Sequence, residues 1–177
     1  GNRIVYYYVR RLKKQPVQRG TMTTDSRTQI FVSYSHVDSE YLARLKVHLR
    51  PFERAALVEV WSDSKIRVGQ DWRKEIQAAL DRSAVAILLI SADFLASDFI
   101  ANNELPRLLA AAESDGLRII PVILKPCAFT DIEDLSRFQC INDPKQPVIV
   151  LNEAAREKLW YDVAIAARDS VMKSVDL

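Results

Sequence analysis

The chain has 177 residues, 49% of them hydrophobic and 27% charged, enough for one domain with a sizeable core. No apolar run approaches the ~20 residues that a membrane-spanning helix needs. The net charge of +2 hides an asymmetry: residues 1–28 carry seven Lys/Arg and one acid, whereas the rest carries 18 Lys/Arg and 22 acids, which argues against nucleic acid as the main partner.

Residues 1–28 read as an appendage, a basic N-terminal leader or linker. Ile4 to Val9 has the composition of a strand, Arg10 to Lys14 is basic, and the remainder is polar and unpatterned. Two readings stay open, a disordered leader and a basic arm. Met22 is a plausible natural start.

From residue 29 onward strand and helix patterns alternate. Residues 30–34 are β-rich. Tyr41, Leu42, Leu45 and Leu49 recur at helical spacing over 38–50, with Pro51 as the expected stop. Residues 58–61 predict a second strand and 62–70 a polar loop with Gly69. A helix is predicted over 71–80, with Trp72 and Ile76 on its inner side. Residues 84–90 are unbroken Ala, Val, Ile and Leu, as expected for a central parallel strand covered on both faces. A helix over 104–113 follows, then a fourth strand over 118–124, whose Pro121 suggests a sheet edge or a bulge. Residues 125–146 form a long connection with a helical turn expected over 131–138. A fifth strand over 148–151 and a closing helix over 153–172 complete the pattern.

Five alternations of strand and helix predict an α/β fold, a doubly wound, flavodoxin-like five-stranded parallel sheet with helices on both faces. Ligands of such folds sit outside the carboxyl ends of the strands. The segments there are 33–38, 61–72, 91–104 and 125 onward. Within the third, Ile100, Glu104 and Leu108 are spaced to share one helical face, and Pro106 is tolerated only in a first turn, so a helix start at Asn102 or Asn103 is expected. Glu104 then lies where the helix dipole favours an anion. It is either a held carboxylate at the rim of a cleft or an ordinary first-turn glutamate facing solvent.

Several chemistries lack their residues. There is no GxGxxG, GxxxxGK[ST] or GxSxG, and no metal-ligand cluster. His36 and His48 are the only histidines; His48 reads as a surface residue in mid-helix. Cys127 and Cys140 lack CxxC spacing, which suits a reducing cytoplasm and no structural zinc.

Three stretches carry a resemblance. Residues 31–38 (FVSYSHVD) look like box 1 of TIR domains. Trp61-Ser62-Asp63 and residues 66–72 (IRVGQDW) resemble their second strand and BB loop. Residues 91–99 (SADFLASDF), followed by Glu104-Leu105, resemble the loop and helix that bear the catalytic glutamate of the NAD-cleaving branch, with bacterial defence-type proteins nearest in character. The pattern spans residues 29–172, and 29–177 is assigned as the TIR domain. It departs from the family in having Ile100 where an aromatic is common, with Phe99 one residue earlier.

The resemblance implies an NAD⁺ glycohydrolase with Glu104 as the catalytic group. It implies that Ser33, Tyr34, Ser35, Asp63, Gly69, Trp72 and Phe99 bind NAD, which is substrate rather than cofactor, with no metal. It further implies self-association through the BB loop, 64–70, antiviral defence signalling, and a trigger from a separate sensor chain or domain. Two alternatives remain: a non-catalytic TIR interaction module, and a nucleoside deoxyribosyltransferase-like enzyme that also works with a glutamate.

Overall fold

A computed structural model of the chain describes residues 4–10, 27–55, 59–61, 72–102 and 104–174; for 4–10, 59–61, 72, 73, 99, 101 and 104 the description is of the backbone. The sheet is organised around β4 (Ser83–Ile90), every residue of which is buried. Its parallel neighbours are β2 (Gln29–Ser35) and β5 (Arg118–Ile123), with Val32 opposite Ile87 and Leu89 opposite Val122. A strand in that position must be apolar on both faces, and the Ala, Val, Ile and Leu run supplies this.

Alternate residues of these strands feed two cores. Ile30, Val32, Tyr34, Val85, Ile87 and Leu89 pack with α1 (Ser39–Arg54) and α7 (Glu153–Lys173), which contribute Leu45, Leu49, Trp160 and Val163. Phe31, Ala86, Leu88 and Ile90 pack on the opposite face with α2 (Trp72–Arg82), α3 (Ala92–Leu95), α4 (Asp98–Ala101), α5 (Glu104–Ser114) and α6 (Glu133–Ser136). The period of two along the strands thus sorts side chains between helical layers.

The five-stranded sheet is mixed, which corrects the all-parallel expectation. Its order is β3-β1-β2-β4-β5, and β1 (Ile4–Arg10) runs antiparallel between β2 and β3 (Glu59–Trp61). The parallel block is therefore β2-β4-β5. The expected fifth strand is a 3₁₀ turn, Val148–Val150. Pro147 introduces it, and Val150 and Leu151 donate to the carbonyls three residues back, at 3.0 and 3.2 Å. Only Val148 of the three is buried; Ile149 and Val150 are 47% and 59% exposed, so this short apolar run has no second layer to cover it as a strand.

Two helix boundaries also differ. Pro51 lies inside α1, which continues to Arg54 because Phe52 packs against the core and Arg168 stacks over its ring at 5.3 Å. The predicted single helical face through Ile100, Glu104 and Leu108 is interrupted. Ile100 belongs to α4, α5 starts at Glu104, and its buried row is Leu105, Leu109 and Ala112. Pro106 falls in the first turn, where its missing N–H costs nothing. At the far end Leu117 N donates to Ala112 O at 2.9 Å and Gly116 takes φ +97°, a Schellman-type stop that turns the chain into β5. β5 lies at the edge of the described sheet, one of the two positions that Pro121 suggested.

At the amino ends of the strands, Arg27 donates to Leu80 O at 2.9 Å and Ser83 O at 3.2 Å. Its own carbonyl accepts from the Ser174 hydroxyl.

Candidate active site at the carboxyl ends of the parallel strands

The end of β2 separates the expected box-1 residues. Ser33 and Ser35 share a strand face with Phe31, toward α2, α3 and α5, whereas Tyr34 turns to the α1/α7 core. Both serines are 0% exposed, and neither hydroxyl has a hydrogen-bond partner among the described residues. Buried hydroxyls are ordinarily bonded, so two such groups side by side mark a place where polar valence is left open.

Beyond the serines the chain makes a 3₁₀ turn, His36–Asp38, and Asp38 points inward. It is the only carboxylate among the buried described residues. Ser91 Oγ, the first residue after β4, donates to Asp38 Oδ2 at 2.5 Å. Lys125 Nζ, two residues past β5, donates to Asp38 Oδ1 at 2.6 Å. That bond holds the Lys125 ammonium above its usual range, partly offset by burial. Lys125 Nζ also lies 5.7 Å from the centre of the Tyr41 ring, whose hydroxyl burial raises in pKa. Sequence reasoning named none of Asp38, Ser91 and Lys125 as site residues. The signal was present: each is a polar residue at the end of a strand that is otherwise buried.

Ser91 has a second role. Its Oγ accepts from Phe94 N at 3.1 Å, capping α3. Ser97 Oγ then donates to Phe94 O at 2.8 Å, Ile100 N to Ser97 O at 3.1 Å, and Asn102 N to Asp98 O at 2.9 Å. This relay leads to Glu104, the first residue of α5. The helix runs back under the sheet face that carries Ser33 and Ser35, with Leu105 and Leu109 in the same core as Phe31 and Leu88. The backbone at 104 therefore stands at the carboxyl ends of the strands.

The side chains of Glu104, Trp72 and Phe99 lie outside the described residues, as do Asp63, Gly69 and the whole of 64–70. No group of three or more His, Cys, Asp or Glu among the described residues is placed to hold a metal ion. His36 is exposed. His48 is not a free surface residue: its side chain is 18% exposed and its Nε2 lies 3.1 Å from Glu157 Oε2. Glu157 also accepts two bonds from Arg44, which with His48 holds its carboxyl down to about 2.

A groove of about 590 Å³ opens between α1 and α7, lined by Tyr41, Arg44, Glu153, Arg156, Glu157 and Trp160, with Glu40 at its rim. It lies on the sheet face opposite Ser33 and Ser35.

A family model described as TIR domain matches residues 30–163. The chain is also similar to the uncharacterized protein y4lF of Sinorhizobium fredii (strain NBRC 101917 / NGR234), at 34% identity over 98 residues. That match covers 55% of this chain and 30% of the relative, so the chain spans under a third of the relative's length. No solved structure matches the chain. No helix among the described residues is long and apolar enough to cross a membrane.

Proposed function

The chain belongs to the TIR domain family, and from that premise we propose that it is an NAD⁺ glycohydrolase with Glu104 as its catalytic carboxylate. The observation that carries the reading is the placement of residue 104. It opens α5 at the carboxyl ends of the parallel strands, on the sheet face where the buried hydroxyls of Ser33 and Ser35 have no partner among the described residues. Doubly wound folds bind ligands at that end. The first turn of α5 also favours an anion.

The chemistry needs one well-held carboxylate. Nicotinamide in NAD⁺ is a cationic leaving group. When the ribose C1′–N bond breaks, the electron pair departs with the ring and neutralises it, so no general acid is required. The ribose acquires oxocarbenium character, which Glu104 stabilises or whose hydroxyls it grips. Water bonding to C1′ and losing a proton gives ADP-ribose; attack by the adenine gives a cyclic product. Ser33 and Ser35 supply donors or acceptors to polar groups of the same ligand. Trp72 and Phe99 are the candidates for a stacking wall, and Asp63 and Gly69 for the facing loop.

The wider reading is a cytoplasmic protein of bacterial antiviral defence, activated by self-association through 64–70 and triggered by a separate sensor chain or domain. The test is NAD⁺ consumption and nicotinamide release by concentrated protein, with and without a crowding agent. Glu104→Gln should lower the rate by about 10²–10³-fold, the usual cost of one well-placed electrostatic group. Equal turnover by both proteins would remove Glu104 from the mechanism. No turnover by either, even when assembled, would favour a TIR domain that works as an interaction module.

A further inference from the structure

We propose that Asp38 is a positioning residue: its carboxylate, clamped between Ser91 and Lys125, fixes the segment from α3 to the start of α5 against the end of β2. The activity arm rests on the NAD-cleaving reading; the structural arm does not.

The clamp joins the carboxyl ends of all three parallel strands. Asp38 follows β2, Ser91 follows β4 and Lys125 follows β5, at 2.5 Å and 2.6 Å from the two carboxylate oxygens. Lys125 is itself set by its neighbour, since Leu124 N donates to Ile90 O at 2.8 Å and Leu124 O accepts from Ile149 N at 3.0 Å. A carboxylate that is 0% exposed is costly to bury and is retained only when paired and hydrogen-bonded. Here the pairing is spent at one place, where three loops meet. Besides the apolar packing of Phe31 with Phe94, Ile100 and Leu105, a directional polar link joins β2 to the segment that leads into α5. The link is Asp38 to Ser91, Ser91 to the amide of Phe94, Phe94 O to Ser97, Ser97 O to the amide of Ile100, and so to the turn before residue 104. The polar path from the end of β2 to the turn at Asn102 thus runs through this carboxylate.

The geometry separates positioning from simple stability. Asp38→Asn keeps the shape and the Ser91 cap on Phe94 but offers one acceptor oxygen in place of two, so one charge-assisted bond is lost and the other weakened. Lys125→Met keeps the apolar stem and removes one side of the clamp. Ser91→Ala removes the link itself. Lys125→Arg retains the charge and serves as the conservative control.

The experiment is hydrogen exchange of backbone amides by mass spectrometry, run with NAD⁺ turnover on the same full-length variants. Exchange over 92–102 should accelerate by about tenfold in Ser91→Ala and Asp38→Asn, as expected for loss of a hydrogen bond of ordinary net strength, with 159–167 in α7 unchanged. Turnover should fall about 10–100-fold in kcat with little change in KM, the pattern of a misplaced reacting group. Lys125→Arg should recover most of the loss seen in Lys125→Met. Unchanged exchange over 92–102 in Asp38→Asn, or equal acceleration over 92–102 and 159–167, would overturn the clamp. If the unmodified protein does not cleave NAD⁺, the exchange pattern alone decides the clamp and the functional reading fails separately.

Discussion

Ser33→Ala should stabilise the protein while weakening its site. Ser33 is 0% exposed and its hydroxyl has no partner among the described residues. An unpaired buried hydroxyl costs about 1–3 kcal/mol. Removing it leaves a void of roughly one oxygen atom, and at about 24 cal/mol per Å³ that void costs only a few tenths of a kcal/mol. The balance is a gain of about 1 kcal/mol. For a domain of this size that is about 2–4 °C in Tm. Urea unfolding is the direct assay: the midpoint should rise with the slope unchanged, because the exposed surface on unfolding is the same. Ser35→Ala should behave likewise. Turnover should fall in both if these hydroxyls face the ligand, the usual opposition of stability and function at a site. A loss of 1 kcal/mol or more on Ser33→Ala would show that the hydroxyl is bonded in the folded protein, and the site would lose its open valence.

Other expectations follow from the packing and the charges. Leu45→Ala, at a fully buried position of α1, should cost about 2–5 kcal/mol in urea unfolding, whereas Val47→Ala on its 51% exposed side should stay within about 0.5 kcal/mol. Glu157 has its folded pKa depressed from an ordinary 4.5 to about 2, so the stabilisation from its pairing is present above pH 4.5 and lost as pH falls toward 2. Glu157→Gln should accordingly lower Tm at pH 7, and its Tm should converge with that of the unmodified protein near pH 2. Gly116→Ala should cost about 1–2 kcal/mol through its φ of +97° alone, since no atom lies within 4 Å of the added methyl group; no change in Tm would refute the strain argument.

The parts of the fold that depend on burial in periodic patterns were legible from the residues. The all-apolar run of β4, the helical spacing of Tyr41, Leu42, Leu45 and Leu49, and the choice between edge and bulge set by Pro121 each follow from one local rule. What escaped depends on partners distant in sequence. Val148 to Leu151 is as apolar as a strand, and only the absence of a covering layer over Ile149 and Val150 makes it a turn. The place of β1 between β2 and β3 is a choice among edges that no local pattern encodes. The site shows the same division. Glu104 was singled out by helical spacing and resemblance and the β2 serines by resemblance alone, whereas Asp38, Ser91 and Lys125, the last two 53 and 87 residues from the first, become one group only through the parallel register.

The contact between Arg27 and Ser174 has a consequence for rearranging the chain. The Ser174 hydroxyl donates to the carbonyl of Arg27, at the pole of the sheet opposite the clamp. A linker of a few residues would bridge these two points, given about 3.3–3.6 Å of reach per residue. The chain could then be reopened in the exposed turn over 143–146, giving a circular permutant that keeps the β2-β4-β5 block and its helices but removes β1, the strand between β2 and β3. Sequence added after Ser174 emerges at that pole, but β1 runs back to the other one, where Ile4 lies opposite Ser35. A fusion made at the Ser174 end therefore leaves the serine end of the sheet clear, whereas one made ahead of Ile4 starts beside it.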